Sequence, residues 1–397
     1  MRNPTAFLLE EYDDLVRNEL DWRLHVLQGP STPWCTVDGK RALMLCSNNY
    51  LGLSNHPRLK EVAIKAIQTH GVGSGSVRAI AGNMDLHAEL ENRLAKFKRA
   101  EASLVYQTGF AANTGLIPQL AGKDDLIISD ELNHGSIIDG TRLSRADRIV
   151  YKHVDMDDLQ RLLVQAESHT PQYRRILIIT DGVFSMDGDI APLNEVAKLG
   201  AEHGAMIYVD DAHGEGVLGE GGRGIVSHFK LSRDMVHVEM GTFSKAFGVV
   251  GGHISGSKDL INFAYNKSRT WLLSGSHPPA VVAACTAAID ILENEPQHVQ
   301  KLWDNTRYFK EAMKKLGFNI GDSQTPITPI IVGNSSVAKN LSTRLLEKSV
   351  FALPIVYPMV ALDKARIRTI MNAAFTRDDL DFAIDAFEKI GKELHII

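Results

Sequence analysis

The chain has 397 residues, of which 44% are hydrophobic and 23% charged, and its formal net charge is −5. These are the proportions of a globular protein with a large buried core, which excludes a disordered, collagen-like or coiled-coil chain. Lysine and arginine number 43 against 48 aspartates and glutamates. Because this balance provides no basic field for a polyanion, we expect no nucleic-acid partner.

The cysteines and the distribution of apolar residues indicate in which cellular compartment the protein works. Cys35, Cys46 and Cys285 are odd in number and far apart, a pattern typical of a reducing, cytoplasmic compartment. The N-terminus lacks the apolar core of a signal peptide. The longest stretch without a formal charge, residues 270–289, is interrupted by serines, a histidine and two prolines. It therefore predicts a loop and a buried helix rather than a membrane span.

The predicted elements fall into three segments. Residues 1–47 form an N-terminal arm, mostly one helix, whose apolar side packs on the domain or on a partner subunit. Residues 48–284 alternate short Val- and Ile-rich runs with stretches of helical apolar periodicity. The predicted strands are 102–106, 125–128, 148–151, 175–179, 205–209 and 236–240, with a seventh, edge strand at 251–256. This α/β alternation predicts a large domain with a mostly parallel sheet covered by helices on both faces.

The pattern changes towards the C-terminus. Residues 285–397 are more charged and predict a smaller α+β domain. Its candidate strands are 328–332 and 366–371. The last helix is expected to start at Thr376 as N-cap, with two aspartates in its first turn.

Polar residues directly follow the predicted strand 205–209. In an open parallel sheet, functional groups collect at the carboxyl ends of the strands, where Asp210, Asp211 and His213 stand in this sequence. Three interpretations remain open from these residues alone: a solvated turn, a carboxylate–imidazole metal site, and an acidic partner for a cofactor. Because no histidine pair with metal-ligand spacing stands nearby, we expect no metal.

A lysine follows the next strand. Lys245 lies among small and apolar residues in Gly241-Thr-Phe-Ser-Lys245-Ala-Phe-Gly248, where a partly desolvated amine is nucleophilic towards a carbonyl. Pyridoxal phosphate requires a lysine that forms a Schiff base and an aspartate that keeps the pyridine nitrogen protonated. The turn 107–113 opens a predicted helix, and its first amides offer a site for the phosphate, although an ordinary strand-to-helix turn has the same pattern.

Two alternatives come from other classes of protein. A single glycine pattern, Gly219, Gly221 and Gly224 with Glu239 further on, leaves a nicotinamide oxidoreductase open. It begins well after its strand has ended and opens no clear helix, which counts against it. A non-catalytic scaffold with the same fold would lack the lysine, the aspartate or a carboxylate anchor, and none of them is missing.

Six segments in order resemble the signatures of the α-oxoamine synthases. They are Asn48-Asn-Tyr-Leu-Gly-Leu53, Asn133-His134, 180–188, Val209-Asp-Asp-Ala-His213, Gly241-Thr-Phe-Ser-Lys245 and Ala365-Arg-Ile-Arg368. The resemblance runs from about residue 40 to the C-terminus. It implies a pyridoxal-phosphate enzyme of fold type I, like aspartate aminotransferase, that joins an amino acid to an acyl-CoA and releases CoA.

The resemblance also implies roles for single residues at the cofactor. Lys245 would bind its aldehyde carbon and later serve as the base that takes the α-proton of the substrate. Asp210 would pair with the pyridinium nitrogen, and His213 would donate to the phenolic oxygen. His134 would stack on the face of the ring.

Further residues are implied at the phosphate. The amides of Gly109 and Phe110 and the hydroxyl of Thr242 would hold it. Ser274 and Ser276 match a segment that reaches the phosphate from the other subunit in this family. The resemblance therefore implies an obligate homodimer with active sites at the interface.

The remaining implied residues concern the amino-acid substrate. Asn48 and Arg368 match the positions that bind its carboxylate, a task for which the arginine fork is suited. Ser185 matches a position near both cofactor and substrate.

The choice of substrates rests on less of the sequence. Val77-Arg78 and residues 390–394 resemble glycine C-acetyltransferase, so glycine with acetyl-CoA is the expected pair. Residues 71–75 and 182–193 equally resemble 8-amino-7-oxononanoate synthase, which uses alanine and a pimeloyl thioester. Serine palmitoyltransferase and 5-aminolevulinate synthase match less well because their C-terminal proline-rich loop is not evident at 357–362.

Three positions depart from the family pattern. Phe375 stands where histidine is usual, Gly135 follows His134 where alanine is usual, and Trp271 replaces a smaller aromatic context ahead of Ser274. They leave a medium-chain or promiscuous acyl specificity open.

Overall fold

The structure is a computed structural model, and it describes residues 3–18 and 20–397. The arm contains helix α1 (Ala6–Arg17) and strands β1 (Leu27–Gln28), β2 (Trp34–Val37) and β3 (Lys40–Met44). The helix predicted for most of the arm thus ends at Arg17. Asp38 and Gly39 have positive φ angles, 48° and 79°, and join β2 to β3 as a tight antiparallel hairpin. Asp-Gly between two strand-forming runs is the sequence pattern of such a turn.

The middle of the chain carries the large sheet. Its strands are β4 (Ala102–Tyr106), β5 (Leu126–Asp130), β6 (Asp147–Tyr151), β7 (Ile176–Asp181), β8 (Met206–Asp210), β9 (Val238–Thr242) and β10 (Gly252–Gly256). Its helices are α2 (Pro57–His70), α3 (Asp85–Lys98), α4 (Gly109–Leu120), α5 (Gly135–Leu143), α6 (Met156–Glu167), α7 (Leu193–Glu202), α8 (Ile225–His228), α9 (Lys258–Lys267), α10 (Arg269–Leu272) and α11 (Pro279–Asn294).

The seven strands are ordered β4-β10-β9-β8-β7-β5-β6, and the five from β9 to β6 run parallel. The predicted α/β fold with a mostly parallel sheet is confirmed. The edge position predicted for residues 251–256 is wrong, because β10 lies between β4 and β9 and pairs antiparallel with both. All five residues of β10 are buried, as an interior strand requires.

The sheet is covered on both faces. Alternate strand residues belong to two separate apolar clusters: Ile128 and Ile178 pack in one, while Ile127, Leu177 and Ile179 pack in the other. This follows from the two-residue period of a strand. Burial on both faces explains the nearly continuous apolar runs seen in the sequence. Among the described residues, no helix is long and apolar enough to span a membrane.

The C-terminal part contains α12 (Gln297–Leu316), β11 (Ile327–Gly333), α13 (Ser335–Glu347), β12 (Val350–Phe351), β13 (Pro354–Ile355), β14 (Ala365–Ile370) and α14 (Arg377–Glu393). Strands β11, β14 and β13 form an antiparallel sheet, whereas β12 pairs in parallel with β3 of the arm. The Thr376 hydroxyl accepts the amide of Asp379, and the Asp379 carboxylate accepts that of Thr376. The predicted N-cap is thus present as a capping box. The limits chosen for the domains stay a prediction.

A fully buried group of charges connects α3 to the ends of β8 and β9. The ammonium of Lys98 lies 2.7 Å from Glu215 and 2.6 Å from Glu239, and it donates to the carbonyl of Arg223 at 2.6 Å. The ring of His253 lies 3.0 Å from the other oxygen of Glu215. Although burial opposes ionisation, His253 and Lys98 lower the pKa of Glu215 to about 2. The pair of Glu215 with Lys98 therefore stays ionised throughout the physiological pH range.

Replacing Lys98 by methionine should destabilise the protein strongly. The change removes the ammonium that contacts both buried carboxylates and leaves Glu239 with Arg233 and Glu215 with His253 as partners. Breaking buried ion pairs in this way should cost about 3–5 kcal/mol in the free energy of unfolding. Arg99→Met is the matched control, since Arg99 pairs with Glu220 at the surface, where an exposed ion pair contributes little to stability. Urea unfolding followed by circular dichroism measures both variants, and an equal loss in the two would contradict this account of the buried charges.

Candidate active site

A cavity of about 210 Å³ lies at the carboxyl ends of β7, β8 and β9 and at the start of α4. Its lining includes eight predicted site residues: Gly109, Phe110, His134, Ser185, Asp210, His213, Thr242 and Lys245. These residues come from segments far apart in the sequence. The parallel strands bring their carboxyl ends to one edge, which is why the residues converge.

Asp210 is the last residue of β8 and is buried. Its carboxylate accepts the side-chain amide of Asn113 at 2.8 Å and the backbone amide of Ala212 at 3.0 Å. The Asn113 carbonyl oxygen in turn accepts the hydroxyl of Tyr208 at 2.7 Å. These bonds fix the orientation of the carboxylate without neutralising it. Sequence reasoning missed Asn113, although its place one turn inside α4 directs it back towards the sheet.

A hydrogen-bond chain links Asp210 to His134. Asn113 donates to the hydroxyl of Ser136 at 2.9 Å, and the Ser136 hydroxyl lies 2.7 Å from Nδ1 of His134. Burial lowers the pKa of His134, which favours the neutral ring. Nδ1 accepts the backbone amide of Ser136 at 3.2 Å, so the proton of the neutral ring resides on Nε2. The ring is thereby held neutral at the cavity wall.

His213 is buried on another side of the same cavity. Its Nδ1 lies 2.7 Å from the hydroxyl of Tyr50. Burial, followed by the charge of Lys245, lowers the pKa of His213 well below its ordinary value. Because burial also raises the pKa of Tyr50, the hydroxyl keeps its proton. In the tautomer in which this hydroxyl donates to Nδ1, Nε2 of His213 carries a hydrogen that it can donate.

The amine of Lys245 is partly buried and faces two carboxylates. Burial lowers its pKa to about 8, although Asp210 and Asp181 act in the opposite direction. A substantial fraction of the amine is therefore neutral near pH 8, as attack on a carbonyl requires. Asp181, the last residue of β7, was not predicted as a site residue. Burial and the neighbouring Asp210 raise its pKa well above the ordinary value, and it accepts the backbone amide of His134 at 2.9 Å.

The opposite end of the cavity offers hydrogen-bond donors. The hydroxyl of Thr108 accepts the amide of Ala111, and the first amide of α4 with a main-chain acceptor is that of Ala112. The preceding amides, those of Gly109 and Phe110, are thus available to an anion at the positive end of the helix dipole. The hydroxyl of Thr242 donates to the carbonyl of Gly251 at 2.6 Å, so it must turn to reach a phosphate.

The predicted substrate residues meet beside the cavity. Arg368 on β14 donates to the side-chain oxygen of Asn48 at 3.2 Å and to the carbonyl of Ser185 at 3.1 Å. Its guanidinium is partly exposed. This arrangement keeps the arginine fork in place next to the cavity and leaves part of it free for a carboxylate.

The structure does not bring Ser274 and Ser276 to the cavity of their own chain. The hydroxyl of Ser276 lies 2.6 Å from that of Ser74, and its amide donates to the carbonyl of Ser76 at 3.1 Å. The role expected for them in a partner's site stays a prediction.

None of the three departures from the family pattern lines the cavity. Phe375 is buried in the core, with its carbonyl accepting from Asn305. A Cβ at Gly135 would meet nothing within 4 Å. Trp271 lies 5.3 Å below the guanidinium of Arg78. The glycine pattern 219–224 leads into a helix of only four residues, α8, so it does not have the structure of a dinucleotide-binding turn.

The donor set of the cavity fits pyridoxal phosphate. A buried carboxylate stands near an amine whose pKa is about 8, and free helix amides lie at the other end. The amine suits the aldehyde, the carboxylate suits a protonated pyridine nitrogen, and the amides suit the phosphate. The roles of the individual residues in holding these groups are proposals.

The chain is similar to known proteins over nearly its whole length. The profile of the family described as aminotransferase class I and II matches residues 40–387. The 8-amino-7-oxononanoate synthase of Symbiobacterium thermophilum is 54% identical over 99% of both chains. The 8-amino-7-oxononanoate synthase 1 of Bacillus subtilis is 51% identical over 100% of both. Both relatives are named as 8-amino-7-oxononanoate synthases, which was the alternative considered from the sequence. Neither name corresponds to the expected pair, glycine and acetyl-CoA.

Solved structures agree on the fold. A serine palmitoyltransferase of S. paucimobilis, described with bound PLP, superposes with a TM-score of 0.92 at 27% identity and covers 100% of both chains. An 8-amino-7-oxononanoate synthase of Francisella tularensis has a TM-score of 0.76 at 27% identity over 89% of this chain and 99% of the other. The match to the aminotransferase family and to a structure with bound PLP confirms the predicted fold type and cofactor.

The lowered pKa of Lys245 predicts how the cofactor-free protein takes up pyridoxal phosphate. Only the neutral amine attacks the aldehyde, so the rate should rise about tenfold per pH unit below pH 8 and level off above it. Stopped-flow absorbance measures this rate, and Lys245→Ala should show no cofactor attached after borohydride reduction. A midpoint near 10, where an ordinary lysine titrates, would contradict the role of burial.

Proposed function

This chain belongs to the class I and II aminotransferase family and, within it, to the α-oxoamine synthases, and from this premise we propose that it joins alanine to a pimeloyl thioester. The general reaction, which is pyridoxal-phosphate-dependent acyl transfer from a thioester to an amino acid, follows from the family. The choice of substrates is supported by one observation, the 54% identity over 99% of both chains with a named 8-amino-7-oxononanoate synthase.

The product named in that relative, 8-amino-7-oxononanoate, fixes both substrates. Its nine-carbon chain has a ketone at the seventh carbon and an amine at the eighth. The first seven carbons come from the dicarboxylic acyl group, and the last two are the α-carbon and methyl group of alanine. The alanine carboxylate leaves as carbon dioxide, and CoA leaves as a free thiol. Glycine would yield a chain shorter by one methyl group, so the amino acid distinguishes the two predicted reactions.

The residues of the site can be assigned to this reaction. Pyridoxal phosphate, when bound, supplies an electron sink for the α-carbon of the amino acid. Arg368 and Asn48 bind the alanine carboxylate and orient the bond to be broken. Lys245, with its pKa lowered to about 8, takes the α-proton as general base. Asp210 provides the buried negative charge, and Nε2 of His213 donates a hydrogen bond.

The proposal includes a homodimer. No residue of α1 is buried, and its apolar side chains Phe7, Leu8 and Tyr12 are each more than half exposed. A second copy of this chain supplies a surface that would cover them. The same dimer would place Ser274 and Ser276 near the partner's cofactor, which is consistent with their position outside the cavity of their own chain.

A substrate grid tests the proposed function. The cofactor-loaded protein should release CoA from pimeloyl-CoA with alanine at a kcat/KM at least about tenfold above any other pair, since one methyl group contributes about 1–3 kcal/mol to discrimination. The grid crosses glycine, alanine and serine with acetyl, succinyl, pimeloyl and palmitoyl thioesters and measures thiol release. Carboxyl-labelled alanine should yield labelled carbon dioxide.

Two outcomes would contradict different parts of this proposal. A preference for glycine with acetyl-CoA would replace the substrates and leave the acyl transfer intact. Absence of thiol release from every pair, in protein that holds its cofactor, would contradict the acyl transfer itself.

A further inference from the structure

Two histidines and a glutamate meet on the surface where α2 and α12 begin. His56 is the N-cap of α2, Glu295 closes α11, and His298 lies in the first turn of α12. One ligand atom from each lies within 4.8 Å of the other two, and all three residues are partly buried. We propose that His56, Glu295 and His298 bind zinc or a similar divalent transition metal ion.

The separations suit a small metal ion. Nε2 of His298 lies 3.1 Å from Oε2 of Glu295. Two ligands placed about 2.0–2.1 Å from a tetrahedral zinc ion are about 3.3 Å apart, so this pair needs almost no movement. The rings of His56 and His298 are 6.2 Å apart and nearly perpendicular, at 80°. His56 has its ligand atom within 4.8 Å of the other two, and rotation of its side chain between rotamers would bring it to the same ion as a third ligand.

The required lone pairs are available. Nδ1 of His56 accepts the amide of Arg58 at 3.3 Å, which places the ring and leaves Nε2 for the metal. On His298, a metal would replace the hydrogen that Nε2 shares with Glu295. Two imidazoles and a carboxylate are the ligand set that zinc uses with an open fourth position. Partial exposure supplies water for that position.

A second cluster, of three carboxylates, differs because a lysine already occupies it. Asp211, Glu215 and Glu239 also lie within metal-binding distance of one another. There, however, the ammonium of Lys98 already stands 2.6 Å from Glu239 and 2.7 Å from Glu215. At the His56 group, the ion pairs of the described residues include no lysine or arginine that bonds to Glu295.

The metal site lies next to segments that support the active site. The residues just before His56 pack closely on the loop after Lys245: a Cβ on Gly248 would lie 2.4 Å from the amide of Ser54. Trp303, one turn beyond His298, donates to the carbonyl of Val217 at 2.8 Å in the turn that follows His213. An ion joining α2 to α12 would therefore stiffen two supports of the active site without touching the cofactor.

Zinc binding to the untagged holoenzyme tests the proposal. After removal of metal with a chelator, equilibrium dialysis against micromolar zinc chloride at pH 7.5 and elemental analysis should give one zinc per chain. His56→Ala and His298→Ala should each weaken binding at least about tenfold, with a smaller loss for Glu295→Gln. His70→Ala is the matched control, because His70 also lies on α2 and pairs with a carboxylate, that of Asp85, but has no second imidazole.

Thermal unfolding of the same proteins gives an independent measurement. Zinc should raise the unfolding temperature of the wild type and of His70→Ala, and it should not raise that of His56→Ala or His298→Ala. The absorbance of the bound cofactor shows whether each variant is folded. Equal zinc affinity in wild type and His56→Ala, or no zinc bound to the wild type at micromolar concentration, would overturn the proposal. Neither result depends on which amino acid or thioester the enzyme uses.

Discussion

Carboxylates buried at the carboxyl edge of the sheet are the constraint around which this molecule is built. Strands β7 and β8 end in Asp181 and Asp210, and the turn beyond β8 adds Asp211 and Glu215, all with less than a tenth of their surface exposed. Repulsion and desolvation would be costly if these groups stood alone. The fold places two lysines there: Lys98 at the end of α3 and Lys245 in the turn after β9.

The two lysines differ in the contacts they make. Lys98 lies between three carboxylates at 2.6, 2.7 and 3.7 Å; burial opposes its charge, but these neighbours outweigh burial and raise its pKa. Lys245 has no such contacts, so burial prevails and lowers its pKa to about 8. One lysine is thus a permanent counterion that holds the strand ends together. The other is a reactive amine held next to a negative charge.

The local sequence was sufficient to predict the site residues that directly follow a strand. Asp210 and Lys245 stand directly after apolar runs, and the order of strands and turns brings them to one edge. Asn113 and Tyr50 were missed because their importance comes from partners far away in the chain, Asp210 and His213. The interior position of β10 was missed because strand order depends on how connections cross the sheet, which periodicity does not record. The β2–β3 hairpin was missed as well, since the arm was predicted to be mostly one helix, although Asp38-Gly39 is a local pattern for such a turn.

The substrates were harder to predict than the chemistry for a physical reason. The residues that form the cavity, among them Lys245, Asp210 and His213, handle an amino-acid α-carbon and a cofactor, and any reaction of this class needs them. They therefore carry little information about the acyl chain. The three departures noted in the sequence lie outside the cavity, Phe375 in the core and Trp271 against Arg78, so they do not shape the α-carbon site. Acyl specificity must then reside in residues other than these, along the path by which the thioester approaches.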